Sequence, residues 1–257
     1  MITKVFIHLI GCYKNEFLVQ RERKEDWMFR KMFIYILGVT FGLSVILSPH
    51  VAQAATEMTT LEYGNGATYY GETKNGKPHG NGTMTWGKTK TYKGSWTQGK
   101  RSGHGVYKVI TRGEDRITES KYDGNWKNDK KDGKGKLQVN EIALTGEMLE
   151  SRIQTGTFAK DQWIAGYDVR NGEYDPPYSF LYKDSKLSLE IWGDAGNILN
   201  GLKNNYFFSF TYQKGKVYKS VGVGDEYNPK QFSSFIKSIE KEIKPHINQF
   251  EKLAKQL

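Results

Sequence analysis

Three stretches of the chain repeat one another in register, and that leaves few folds open to it. They read YYGETKNGKPHGNGTMTW over residues 69–86, YKGSWTQGKRSGHGVYKV over 92–109 and YDGNWKNDKKDGKGKLQV over 122–139. Each opens on a tyrosine, Tyr69, Tyr92 or Tyr122, with a glycine two residues on at Gly71, Gly94 or Gly124. Trp96 and Trp126 come two residues later in the second and third units, where the first has Thr73. A glycine pair starts the second half of each unit: Gly80 and Gly82, Gly103 and Gly105, Gly133 and Gly135. A degenerate fourth unit, beginning Thr155-Gly156-Thr157-Phe158, covers 155–169.

The spacing is that of strands. Tyr92, Gly94 and Trp96 alternate with polar residues, as do Gly105, Tyr107 and Val109, so each set falls on one face of an extended segment. Between the halves lie Gly, Asn, Asp and Lys, the residues of tight turns, so each unit is expected to be a β-hairpin. Glycine on the aromatic face removes a side chain and lets a neighbouring ring lie over the backbone. One hairpin is marginal in water, so the units must stack edge to edge and share a core. The 28 glycines, 6 prolines and 14% aromatic residues suit many short strands joined by turns.

The Y-x-G-x-W and G-x-G-x-φ-x-φ elements resemble the MORN (membrane occupation and recognition nexus) repeat family over residues 61–169. The resemblance implies an elongated antiparallel hairpin meander that binds lipids or partner proteins and does not catalyse.

The amino-terminal region reads as an export signal. Arg30 and Lys31 precede an apolar run over 32–47, then Pro49 and the small-x-small site Ala52-Gln53-Ala54. Translation is expected to start at Met28 and cleavage to follow Ala54, which sets 1–54 apart from the folded protein and places it outside the cell or in the envelope. The alternative is an anchor formed by an uncleaved 32–47. The single cysteine, Cys12, lies upstream of the cleavage site, so the exported chain is expected to have no disulfide, thiolate metal ligand or cysteine nucleophile.

Residues 175–257 depart from the repeat. Strands are expected near 179–182, 187–192, 206–212 and 216–221. Asn228-Pro229-Lys230-Gln231 supplies a helix cap, and Phe232, Phe235, Ile236, Ile239 and Ile243 follow as one helical stripe. Pro245 is expected to break or kink that helix before a short second one, and the helices to cover the last strands.

The charge belongs to the repeats. Residues 64–139 hold sixteen Lys and Arg against seven Asp and Glu, a net +9 out of +10 for the whole chain. Lys74, Lys77, Lys88, Lys90, Lys100, Arg101, Lys127, Lys130, Lys131 and Lys134 fall in turns and links. Stacked hairpins align their turns, so these residues are expected to form a basic rim that meets an anionic lipid, an envelope polymer or a protein partner. The plainer reading is that lysine-rich turns solubilise sheet edges. Export argues against nucleic acid. A second hypothesis makes exposed Trp96 and Trp126 stacking platforms for carbohydrate or wall polymer, and a third places an enzyme site in 175–257. His79 and His104 read as turn residues, Asp161, Asp168, Glu173 and Asp175 as solvated surface, and no catalytic, metal or cofactor motif is present. Open sheet edges allow a homodimer.

Overall fold

The computed structural model describes residues 58–257, so the expected leader, cleavage site and Cys12 lie outside the described residues. Thirteen strands form one antiparallel sheet in chain order. The repeat strands are β1 (Met58–Glu62), β2 (Ala67–Lys74), β3 (Lys77–Trp86), β4 (Lys90–Thr97), β5 (Lys100–Arg112), β6 (Arg116–Lys127), β7 (Lys130–Ala143), β8 (Met148–Ala159) and β9 (Gln162–Gly172). The sheet continues as β10 (Tyr178–Lys183), β11 (Leu187–Gly193), β12 (Ser209–Lys214) and β13 (Val217–Gly222). A short helix α1 (Ile198–Lys203) sits between β11 and β12, and α2 (Pro229–Ala254) closes the chain.

Each repeat is a hairpin, as its alternation requires. The turns Asn75-Gly76, Gln98-Gly99, Asn128-Asp129 and Lys160-Asp161 all carry two residues of positive φ, the type I′ geometry that matches strand twist. The degenerate unit makes the fourth of these hairpins, β8–β9. The segment between Tyr107 and Tyr122 lengthens β5 and β6 and turns only at Gly113–Asp115.

One row of residues explains the packing. Gly71, Gly82, Gly94, Gly105, Gly124, Gly135, Gly156 and Gly166 are successive cross-strand neighbours over eight strands. Tyr69, Tyr92 and Tyr122 lie across this bare row, and a Cβ at Gly82, Gly105 or Gly135 would overlap the ring. Each tyrosine hydroxyl donates to the carbonyl of a bulged residue three positions on: Glu72 at 2.6 Å, Ser95 at 3.0 Å and Asn125 at 3.1 Å. The bulge recurs in the first three units because the register slips at the same place, between Gly71 and Thr73, Gly94 and Trp96, and Gly124 and Trp126.

Trp96, Trp126 and Phe158 slot between the tyrosines. Tyr69–Trp96, Trp96–Tyr92, Tyr92–Trp126, Trp126–Tyr122 and Tyr122–Phe158 all meet edge to face, with centroids 5.0–5.5 Å apart. Both indole N–H groups are satisfied, Trp96 Nε1 donating to Gly82 O at 3.2 Å and Trp126 Nε1 to Gly105 O at 3.1 Å.

The covered side of the sheet changes at β8. The cross-strand row Tyr69, Met84, Tyr92, Tyr107, Tyr122, Leu137 continues as Gln154, Asp168, Leu181 and Glu190, so the aromatic face turns mostly polar. The opposite face turns apolar there, through Ile153, Val169, Phe180, Ile191, Phe210 and Val221, which are buried in one core with α2. Phe232, Ile236, Ile243, Ile247, Phe250 and Leu253 supply the helix side of that core, so the helix does cover the last strands.

Two expectations for 175–257 are corrected. The helix does not end at Pro245 but runs through it as one element of 26 residues. Both Pro245 and Lys241 are exposed, so the Lys241 carbonyl that loses its partner faces water. Residues 206–208 lie outside the strands, and β12 starts at Ser209, while Ile198–Lys203 forms a helix that no periodicity announced.

Candidate functional site

The expected rim resolves into three environments. The hairpin turns do align, joined by backbone hydrogen bonds from Gly99 N to Pro78 O (2.8 Å), Asp129 N to Arg101 O (3.1 Å) and Asp161 N to Lys131 O (2.9 Å). Lys74, Lys77, Lys100, Lys127 and Lys130 stand exposed along that edge, and Lys88 is exposed in the link at the other end of the strands. Lys74 pairs directly with Lys77, and Lys127 with Lys130.

Arg101 and Lys131 do not belong to the rim. They face Trp96 and Trp126 across the hairpins and therefore lie on the aromatic side. The Arg101 guanidinium sits 4.2 Å from the Trp126 ring centroid and is tied to Asp129 at 3.2 Å. Lys131 Nζ lies 5.5 Å from the Tyr122 centroid, and burial lowers its pKa. Both cations cover the aromatic core. Lys90 likewise folds over Trp86 at 4.8 Å.

The stacking role of Trp96 and Trp126 is also corrected. Each is 4% exposed, because tyrosines flank it on both sides and Arg101 covers Trp126. Neither ring offers a free face to a sugar. His79 and His104 sit in β3 and β5 rather than in turns, His104 paired with Asp123 at 3.1 Å. Asp168 is not solvated surface: it is 5% exposed and holds Arg152, Gln154 and Arg170 around it.

The side of the array opposite the aromatic core carries cations that attention to turns had missed. Lys93, Lys108, Lys121 and Lys136 alternate with the core residues on their strands, and alternation sends them to the other face. Lys134, at the next inward-opposed position of β7, joins them and donates to Thr157 Oγ1 at 3.1 Å. Lys108 and Lys121 are direct cross-strand partners. They line a shallow groove of about 310 Å³ with Ile110, Glu119, Gln138 and Asn140. Burial, and then the charge of Lys121, push the Lys136 ammonium below the ordinary lysine range. The signal was present in the sequence as the lysine beside Tyr92, Tyr107, Tyr122 and Leu137.

The three repeated stretches match a known repeat model. The MORN repeat family model matches residues 69–89, 92–108 and 122–138. The chain carries MORN repeats. MORN repeat-containing protein 3 of Xenopus laevis is 43% identical over 72 residues, 28% of this chain and 30% of the relative. Alsin of Homo sapiens and of Rattus norvegicus is 38% identical over 88 residues, 34% of this chain but 5% of those proteins. The chain therefore spans less than a third of the length of the relatives it matches. The MORN match ends before β8, where the core changes sides, and so excludes the half covered by α2.

Proposed function

We propose that the MORN array is a non-catalytic docking module that binds a phosphate-rich anionic surface, a lipid headgroup layer or an envelope polymer, through the face opposite its aromatic core. The observation that carries this reading is the Lys108–Lys121 pair. Like charges directly opposite in a sheet cost stability, yet this pair stands exposed beside Lys93, and none of these three amines forms a salt bridge among the described residues, while the half-buried Lys136 in the next row donates to Gln256 Oε1 at 2.7 Å. An anion between Lys108 and Lys121 removes the repulsion. The exposed turn lysines Lys74, Lys77, Lys100, Lys127 and Lys130 extend the same positive field to the adjoining edge.

Each lysine near an anionic bilayer contributes on the order of 1 kcal/mol. The full chain is therefore expected to co-sediment with vesicles of phosphatidylglycerol and phosphatidylcholine, to ignore pure phosphatidylcholine, and to release as salt rises. K108E/K121E should weaken binding by at least about tenfold, and K100E/K127E/K130E should weaken it less. Equal binding by wild type and both variants would refute the proposal.

We further propose that the protein is exported, with translation from Met28 and processing after Ala54. The support is the charged, apolar and small-residue order of 28–54. Amino-terminal sequencing of the protein from its native cells should begin at Ala55. A start at any other residue, or an intact leader, would overturn this.

A further inference from the structure

On the face that carries the aromatic stripe, but beyond its last member, the sheet holds a cavity of about 330 Å³. We propose that this cavity binds a neutral oligosaccharide, with Trp192 and Tyr174 as its aromatic walls and Arg170, Glu150 and Glu190 as its hydrogen-bonding groups. It lies on the opposite side of the sheet from the lysines and does not depend on their role.

Cross-strand register builds the site. Arg170, Ser179 and Trp192 occupy one row over β9, β10 and β11, and Asp168, Leu181 and Glu190 occupy the row beside it. Glu150 on β8 faces Gly172. From Glu150 to Trp192 is three strand spacings, about 14 Å, long enough for more than one sugar ring.

The walls are rings held in place with a face left open. Trp192 is 37% exposed, and its Nε1 donates to Glu190 Oε1 at 2.8 Å, which fixes the indole on the sheet. Tyr174 is 63% exposed and rests on the bare backbone of Gly172, where an added Cβ would come 2.7 Å from the ring. Large aromatic surface left in water at two sides of a cavity suits the C–H face of a pyranose.

The floor disfavours a polyanion and offers partners to hydroxyl groups. Asp168 is saturated by Arg152 Nε at 2.8 Å and Gln154 Nε2 at 2.9 Å, and a second Arg152 nitrogen completes a bidentate pair. Burial pushes the Asp168 carboxyl up, but the bonds from Arg152 outweigh it and keep the group ionised. Arg170 touches Asp168 only at 3.6 Å and makes no hydrogen bond among the described residues, so its planar donors point to whatever enters. Glu150 and Glu190 supply acceptors nearby. Two arginines against three carboxylates leave the floor net negative, which repels a polyanion, while vicinal hydroxyls can give to the carboxylates and accept from Arg170.

The test is calorimetric titration of the full chain with the β-1,4-linked tetrasaccharides of glucose and of N-acetylglucosamine. One of them is expected to bind with a Kd at or below about 1 mM, unchanged at high salt. Trp192→Ala and Arg170→Gln should each weaken it at least about tenfold, with far-ultraviolet circular dichroism unaltered, since both side chains are partly exposed. Tyr174→Ala tests the other wall independently of Trp192, and K108E/K121E should bind sugar as wild type does. Absence of heat with both sugars, or undiminished binding by Trp192→Ala and Tyr174→Ala together, would overturn the proposal.

Discussion

The repeat rests on a relation between two residues, a tyrosine and the glycine it lies across. Adding one methyl group at Gly105 forces the Tyr92 ring off the backbone, with no left-handed φ to complicate the comparison. Gly105→Ala should therefore cost about 3 kcal/mol by overpacking, read as a lower urea midpoint. Gly193→Ala, whose new methyl meets nothing nearer than 3.8 Å, should stay within about 0.5 kcal/mol. Burial also pushes the hydroxyls of Tyr69, Tyr92 and Tyr122 up to about 12, against 10.0 for a free tyrosine. The unfolded chain then loses protons at a lower pH than the native one. Stability that is complete below pH 10 must fall as pH rises toward 12, with tyrosinate absorbance appearing together with unfolding. At this scale the sequence was partly legible. Alternation places Trp96 and Trp126 on the tyrosine face, but it cannot tell whether neighbouring rings close over them. The same alternation sends Lys93, Lys108, Lys121 and Lys136 to the far face, where turn composition gives no sign of them.

Among the elements, hairpins were the most legible, because turn residues and period-2 patterning agree in each unit. The fourth unit has Gln154 and Phe158 where the third has Tyr122 and Trp126, yet its turn geometry and its Gly156–Gly166 pair keep it in line. The long C-terminal helix was legible in its cap, where Asn228 Oδ1 accepts from Lys230 N at 3.0 Å and Gln231 N at 3.1 Å. Its extent was misjudged at Pro245, since local preference opposes helix there while burial of Ile243, Ile247 and Phe250 on one stripe favours it. Burial prevails, at a cost that substitution can recover. Pro245→Ala restores an N–H to the Lys241 carbonyl and should raise stability by about 1 to 3 kcal/mol, seen as a higher thermal midpoint. The helix α1 gave no sequence signal because its six residues hold only two buried side chains, Ile198 and Leu202.

Among the described residues the sheet carries two cores that share no side chain, one of stacked rings and one under α2. β8 is where they meet, with Phe158 in the first and Ile153 in the second. Stacked units interact mainly with their neighbours, so the halves need not unfold together. In urea, helical circular dichroism and the fluorescence of the buried indoles should show separate midpoints, and Ile153→Ala, costing about 2 to 4 kcal/mol, should move the helical one further. Coincident shifts in both signals would show a single cooperative unit. The change of sides at β8 was not legible, because it arises when Ile153, Val169 and Phe180 take over positions that Lys121 and Gln138 hold upstream, and no single strand announces it.

A hairpin adds two strands, and two reversals of direction leave every later residue facing as before. The array can therefore gain or lose a repeat without inverting either surface, each insertion lengthening the lysine face by about 10 Å while the part beyond β8 keeps its own interior. Relatives of different repeat number would then be gauges of different span cut to one pattern, reaching further along a surface with the same grip.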